Sequence, residues 1–168
     1  MDKKDQDYKW YALYTKSRAE KKVLEQLTQM GIKAYLPLKR VLRQWSDRKK
    51  WVEVPVISSY IFVYIPESDY RRVFDARGIV AYVSYKGKAV TIPDHEIEAM
   101  RKTIENNIEF DVQQRELKKG EEITITSGPL KGVKGIIKEV QGNKKLYISI
   151  SNIGYTLVIN MEDVMKKH

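Results

Sequence analysis

The stretch SGPLKGVKGIIKEV, residues Ser127–Val140, sets three glycines, a proline and three lysines among isoleucines and valines. Glycines beside lysines are the raw material of a phosphate-binding loop, but the spacing here is wrong for one. Such a loop needs Gly, four residues, then Gly-Lys-Ser/Thr, so that backbone amides and the lysine converge on phosphates. Val133 separates Gly132 from Lys134, no hydroxyl follows the lysine, and both flanks read as strands. The stretch predicts a turn at Gly128-Pro129, with Gly132 and Gly135 relieving crowding inside a small barrel.

Working outward, the C-terminal third carries only strand signals: EITITSG, KGIIKEV, KLYISIS and YTLVINM, separated by Gly and Asn turns. Ile123 and Ile125 alternate with threonines, and Leu146, Ile148 and Ile150 alternate with Tyr and Ser. Each strand then has one wet and one buried face. Five short strands in about fifty residues suffice for a closed barrel with few exposed edges. Upstream, EFDVQQRELKKGEE is polar and lacks a sustained apolar face, which makes it the linker candidate.

The N-terminal part mixes both element types. KWYALYT (Lys9 to Thr15) reads as a buried strand. A helix follows, with Ser17 and Glu20 as a capping box and Ala19, Val23, Leu27 and Met30 on one face. Gly31 stops it. Residues 33–65 predict two or three strands around a turn at Ser46-Asp47, with Tyr60 to Ile65 as a central strand. Ser68 to Gly78 predicts a short helix capped by Ser68. IVAYVSY is a strand, KGK a tight turn, and a further helix follows Asp94 with Ile97, Met100, Ile104 and Ile108 along one side.

The 168 residues carry 31 Lys and Arg against 22 Asp and Glu, a net charge of +9. Such an excess favours polyanionic partners, since each neutralised phosphate releases condensed counterions. The absence of cysteine excludes disulfides, thiol nucleophiles and Cys-ligated zinc. No run approaches the ~20 apolar residues of a membrane span, and MDKKDQDYKW lacks the apolar core of a signal peptide. A soluble, cytoplasmic protein is expected, without membrane, metal or cofactor. Asp94 with Glu116 and Lys118 loosely imitates a magnesium-dependent nuclease, but Asp94 sits where a helix cap belongs and Glu116 in the linker. His95 and His168 belong to no ligand cluster, and no serine lies in a Gly-x-Ser-x-Gly elbow. The chain is not expected to be an enzyme.

Two clusters remain as binding candidates. Tyr60, Phe62 and Tyr64 share one strand face by period two, and Tyr14 can join them if the strands pair. Pattern alone leaves open whether this is a core or an exposed aromatic patch. The densest basic run is Lys39, Arg40, Arg43, Arg48, Lys49 and Lys50, relieved only by Asp47. It is either a solvated hairpin or a nucleic-acid contact, with Trp45 and Trp51 offering stacking surfaces.

WYALYTKSRAEKKVLEQL, SSYIFVYI and RGIVAYVSYKGKAVTIPDHEIEAM, in that order, resemble the N-terminal domain of the NusG family of transcription elongation factors. KKGEEITITSGPLKGVKGIIKEV resembles that family's C-terminal KOW domain. The resemblance implies an α+β N-terminal domain at 8–108, an antiparallel sheet flanked by helices, as in NusG N-terminal (NGN) domains. A linker at 109–117 and an all-β, five-stranded, SH3-like KOW barrel at 118–168 would follow.

The resemblance also implies partners. Tyr14, Tyr60 and Phe62 match residues that bind the clamp helices of RNA polymerase's largest subunit. Arg71 and Arg72 fall near a loop reaching the polymerase's opposite pincer. Lys16 and Arg18 match the surface facing non-template DNA, with Arg43, Lys49 and Lys50 of the hairpin as the competing nucleic-acid surface. Ile153 and Tyr155 stand in the loop through which the family's barrel engages Rho or a small-subunit ribosomal protein.

Departures point to a specialised paralogue of the RfaH or UpxY type, an antiterminator dedicated to polysaccharide operons. Ile57-Ser58-Ser59-Tyr60 replaces a Phe-Pro-Gly-Tyr pattern, and Ile153 replaces a phenylalanine. The alternative reading is a KOW-type structural RNA-binding protein of the ribosome.

Overall fold

The computed structural model describes residues 7–115 and 120–166. Glu116, Leu117 and Lys118, which figure in the linker and in the nuclease imitation, lie outside the described residues, as does His168. The chain divides into two compact units, Met1–Thr91 and Ile92–His168.

The first unit is built on β1 (Lys9–Thr15), β2 (Lys33–Tyr35), β5 (Tyr60–Ile65) and β6 (Ile79–Tyr82), with β9 (Thr91–Ile92) as a fifth strand paired to β1. The first four hydrogen-bond in the order β2-β5-β1-β6, with β1 antiparallel to β5 from Lys9↔Ile65 to Tyr14↔Tyr60. Leu13, Ile61, Val63 and Ile65 pack with Val23 and Leu27 of α1 (Glu20–Gln29), forming a closed apolar cluster. Between β2 and β5 the chain makes a separate two-stranded ribbon, β3 (Leu38–Gln44) and β4 (Lys49–Pro55), turning at Ser46-Asp47 as predicted. A smaller hairpin, β7 (Ser84–Tyr85) and β8 (Lys88–Ala89), follows β6, and β9 (Thr91–Ile92) spans the boundary between the units.

Two local expectations are corrected. The capping box at Ser17 does not form: α1 begins at Glu20 behind Ala19, with no side-chain cap. The chain instead makes a tight turn there, the Ala19 amide donating to the Lys16 carbonyl at 3.1 Å, with Arg18 at φ 63°. Nor is Ser68 to Gly78 an α-helix; it forms two 3₁₀ turns, Glu67–Asp69 and Arg72–Asp75. The Phe74 amide bonds the Arg71 carbonyl at 3.2 Å in the 3₁₀ pattern, while the Tyr70 carbonyl, which an α-helix would offer to that amide, accepts from Tyr82 Oη at 2.7 Å.

The second unit holds α2 (Asp94–Glu105), strands β10 (Asp111–Gln113), β11 (Glu121–Thr124), β12 (Lys134–Val140), β13 (Asn143–Ile150) and β14 (Tyr155–Asn160), and α3 (Met161–Lys166). The strands form one antiparallel sheet in the order β10-β14-β13-β12-β11. Its fifth strand, β10, lies in the segment read as a linker. Among the described residues β10 and β11 are not paired with each other, so the sheet is an open five-strand path where a closed barrel was expected. Leu146, Ile148, Ile150, Leu157 and Ile159 are fully buried.

The opening stretch takes its place here. Gly128 and Gly132 have φ of 83° and 88°, which L side chains avoid. Gly135 is required for space: a Cβ there would stand 2.7 Å from the Tyr147 carbonyl and 2.7 Å from Leu146. These glycines shape a sheet and its turns.

Candidate functional site

The C-terminal end of β1 brings several of the predicted residues together. Tyr14 and Tyr60 are cross-strand partners, their rings 5.0 Å apart and tilted by 54°. Tyr14 is 38% exposed and Tyr60 half-buried. Phe62 lies in the same row, opposite Ala12, but is 0% exposed. It pairs with Ala12 on one side and Tyr35 of β2 on the other, in the middle of the sheet. The three side chains thus form one row without forming one exposed patch.

Immediately beyond Tyr14 the chain is tied on both sides. The Thr15 amide donates to the Ser59 carbonyl at 2.9 Å and the Lys16 amide to the Gly78 carbonyl at 2.8 Å. Lys16 and Arg18 project from this pinned turn, both exposed. A non-glycine residue held at positive φ costs about 1–2 kcal/mol, so the Arg18 conformation is imposed by the turn. A partly exposed aromatic pair therefore adjoins two exposed cations on a pinned backbone, a surface able to meet an apolar partner and a phosphate backbone side by side.

Arg71 and Arg72 lie elsewhere in the first unit. Arg71 is exposed, whereas Arg72 donates to the Met30 carbonyl at the C-terminal end of α1, where a cation complements the helix dipole. Gln26 fastens the same region, its side-chain amide exchanging two 2.9 Å hydrogen bonds with the Arg77 backbone.

On the ribbon, Arg43, Lys49 and Lys50 are exposed near the turn, and Arg43 and Lys50 are cross-strand partners. Trp45 and Trp51 are 53% and 57% exposed, with the Arg40 guanidinium 5.3 Å from the Trp51 ring. Lys21 of α1 anchors the ribbon's base, donating to the Glu53 carbonyl at 2.6 Å.

In the second unit, Ile153 and Tyr155 flank Gly154 (φ 74°), just after the 3₁₀ turn Ser151–Ile153. Sequence reasoning missed what holds this loop. Glu96 of α2, itself buried, accepts from the Ser151 amide at 2.7 Å and from the Ser151 hydroxyl at 2.9 Å. Lys102, further along α2, donates to the Lys131 carbonyl at 2.8 Å. Nothing in the spacing of residues separated by 55 positions announces such a contact.

Residues 8–101 match the family model described as "Transcription termination factor nusG". The chain is similar to the transcription termination/antitermination protein NusG of Rickettsia bellii, 25% identical over 165 residues, covering 91% of this chain and 86% of that protein. It is 24% identical over 168 residues to the same-named protein of Rickettsia conorii, covering 90% and 85%. The solved structure described as "Domain interaction in Thermotoga maritima NusG" matches 94% of this chain and 96% of its own at 23% identity, with a TM-score of 0.48.

Proposed function

Because this chain belongs to the NusG family of transcription termination/antitermination factors, whose model its residues 8–101 match, we propose that it binds the clamp helices of RNA polymerase's largest subunit. In that state it suppresses pausing or termination. The observation that carries this reading is the partly exposed Tyr14–Tyr60 ring pair adjoining the pinned Lys16–Arg18 turn. Tyr14 and Tyr60 meet the clamp helices, Phe62 serves as the enclosed floor of the same row, and Lys16 and Arg18 face non-template DNA.

Arg71 faces the opposite pincer, and Arg72, engaged with α1, positions that segment. The Ile153–Tyr155 loop is the contact for a small-subunit ribosomal protein or for Rho. The family departures at Ser58, Ser59 and Ile153 support action at dedicated polysaccharide operons, in the cytoplasm. The domain plan is an NGN-like domain at 8–108, a linker segment at 109–117 and a KOW-type β unit at 118–168, with β10 of the linker segment as that sheet's edge strand. The ribosomal reading offers no counterpart for the match over residues 8–101.

Titrating a clamp-helix fragment into the full chain tests the contact. Tyr14→Ala should weaken binding by about 2 kcal/mol, roughly thirtyfold, since large aromatic side chains dominate interface energies. Thermal melting should barely move, because Tyr14 is packed on one side only. Unchanged affinity would remove the β1 terminus from the polymerase contact.

A further inference from the structure

The β3–β4 ribbon differs from an ordinary basic hairpin in how its charge is distributed. Cross-strand partners share a face, and successive pairs alternate faces. The pairs Arg40↔Glu53, Leu42↔Trp51 and Gln44↔Lys49 therefore occupy one face. Val41↔Val52 and Arg43↔Lys50 occupy the other, and Trp45 with Arg48, joined by a 2.7 Å backbone hydrogen bond, continues it to the turn. One face presents Arg40, Lys49 and Trp51; the other presents Arg43, Arg48, Lys50 and Trp45. All seven side chains are exposed. A hairpin lying flat on a partner needs cations on one side only. This one carries cations and an exposed indole on both.

We infer that the ribbon inserts tip-first into the major groove of duplex DNA, its two faces each meeting one phosphate wall. That groove is about 12 Å wide and 8.5 Å deep and admits a two-stranded ribbon. A seven-residue strand spans roughly 20 Å, so the turn can reach the groove floor while the base stays clear. The charge order fits this direction of entry. The acid at the turn is Asp47, which at the floor would meet base edges rather than phosphates, and a carboxylate there can accept from a cytosine amino group. The other acid, Glu53, lies near the anchored base. A single strand has one backbone and would engage one face. A-form RNA has a deep, narrow major groove closed to such a ribbon.

The inference rests on the proposed reading of Arg43, Lys49 and Lys50 as a nucleic-acid surface and adds the duplex and the groove. The test is fluorescence anisotropy of the full chain with a labelled 20-base-pair DNA duplex of mixed sequence, its isolated strand and the matching RNA duplex. Arg40→Glu/Lys49→Glu disables one face, Arg43→Glu/Lys50→Glu the other. Lys86→Glu/Lys88→Glu on the β7–β8 hairpin makes the same change in net charge elsewhere.

Each ribbon variant should weaken duplex DNA binding at least tenfold and flatten the plot of log K against log salt by about 1.8, the loss expected for two phosphate contacts. The Lys86/Lys88 variant should retain most of its affinity, and duplex DNA should be preferred over both other probes. Melting curves confirm folding of each variant. Loss confined to one face would mean flat docking and overturn the groove, while leaving a nucleic-acid surface. No loss from either face, with clamp-helix binding intact, would remove nucleic acid from the ribbon altogether. Equal loss in the Lys86/Lys88 variant, or tighter binding of single strand or RNA duplex, would overturn the inference as well.

Discussion

Trp10 on β1 and Trp51 on β4 occupy similar local settings and very different global ones. Each sits on an antiparallel strand with a cation close to its ring, Lys33 at 5.7 Å from Trp10 and Arg40 at 5.3 Å from Trp51. Trp10 is 6% exposed and Trp51 57%. The difference is one of layers. Trp10 belongs to a sheet of five strands and packs beside Tyr64, 5.1 Å away, whereas the ribbon has two strands and no sheet neighbour. An aromatic–cation pair built into a sheet holds the fold; the same pair on an isolated ribbon is left free to bind.

The strongest challenge to this contrast is a pair of truncations. Trp10→Ala should destabilise the protein by about 3–5 kcal/mol, the usual cost of emptying a buried aromatic site. Phe62→Ala belongs with it, being fully enclosed. Trp51→Ala should stay within about 0.5 kcal/mol of wild type, as surface changes do. Urea melts of the three variants would break the comparison if Trp51→Ala proved as costly as Trp10→Ala.

A smaller effect sharpens the covered side. Tyr82 stacks on Tyr70, ring centroids 4.0 Å apart. Burial, reinforced by Tyr70, Tyr11 and Asp69, pushes its phenol well above the ordinary tyrosine range. A group whose folded pKa is raised contributes stability that is complete below its unfolded value, about 10 for tyrosine, and is lost as pH climbs beyond it. Stability should therefore fall on the alkaline side of about pH 10. Tyr82→Phe should blunt that fall while costing about 1 kcal/mol near neutrality through the lost bond to Tyr70. An alkaline profile identical in both proteins would assign the loss to other groups.

Much of both sheets and of the ribbon was readable in the chain. Period-two alternation marked Tyr60 to Ile65 and Leu146 to Ile150, and the polar pair Ser46-Asp47 marked the ribbon's turn. What escaped was decided by contacts distant in sequence. In place of the expected helix after Ser68 stand two 3₁₀ turns, with the Tyr70 carbonyl between them taken up by the Tyr82 hydroxyl, and β10 is too short and polar to show a pattern before β14 pairs with it. Tyr14, Tyr60 and Phe62 looked alike as letters; only register and neighbours separate the enclosed ring from the open ones.

The smallest expected effect runs the other way. Ser59 stands where the family's Phe-Pro-Gly-Tyr pattern places glycine, and it adopts φ 66°. Ser59→Gly should relieve that strain and stabilise by a few tenths to about 1 kcal/mol, measurable as a small rise in melting temperature. A loss of stability would mean that the serine side chain compensates for its own backbone.

The two bonds from α2 bear on how the chain can be divided. By kinship most of this helix goes with the N-terminal region, since the family match runs to residue 101. By hydrogen bonding it goes with the C-terminal sheet, through Glu96 to Ser151 and Lys102 to Lys131. A C-terminal fragment starting at residue 118 would leave Ser151 without its carboxylate acceptor and strip β10 from the edge of β14. One starting at Ile92 would keep both, so the boundary inherited from ancestry and the boundary these hydrogen bonds favour are about a helix apart.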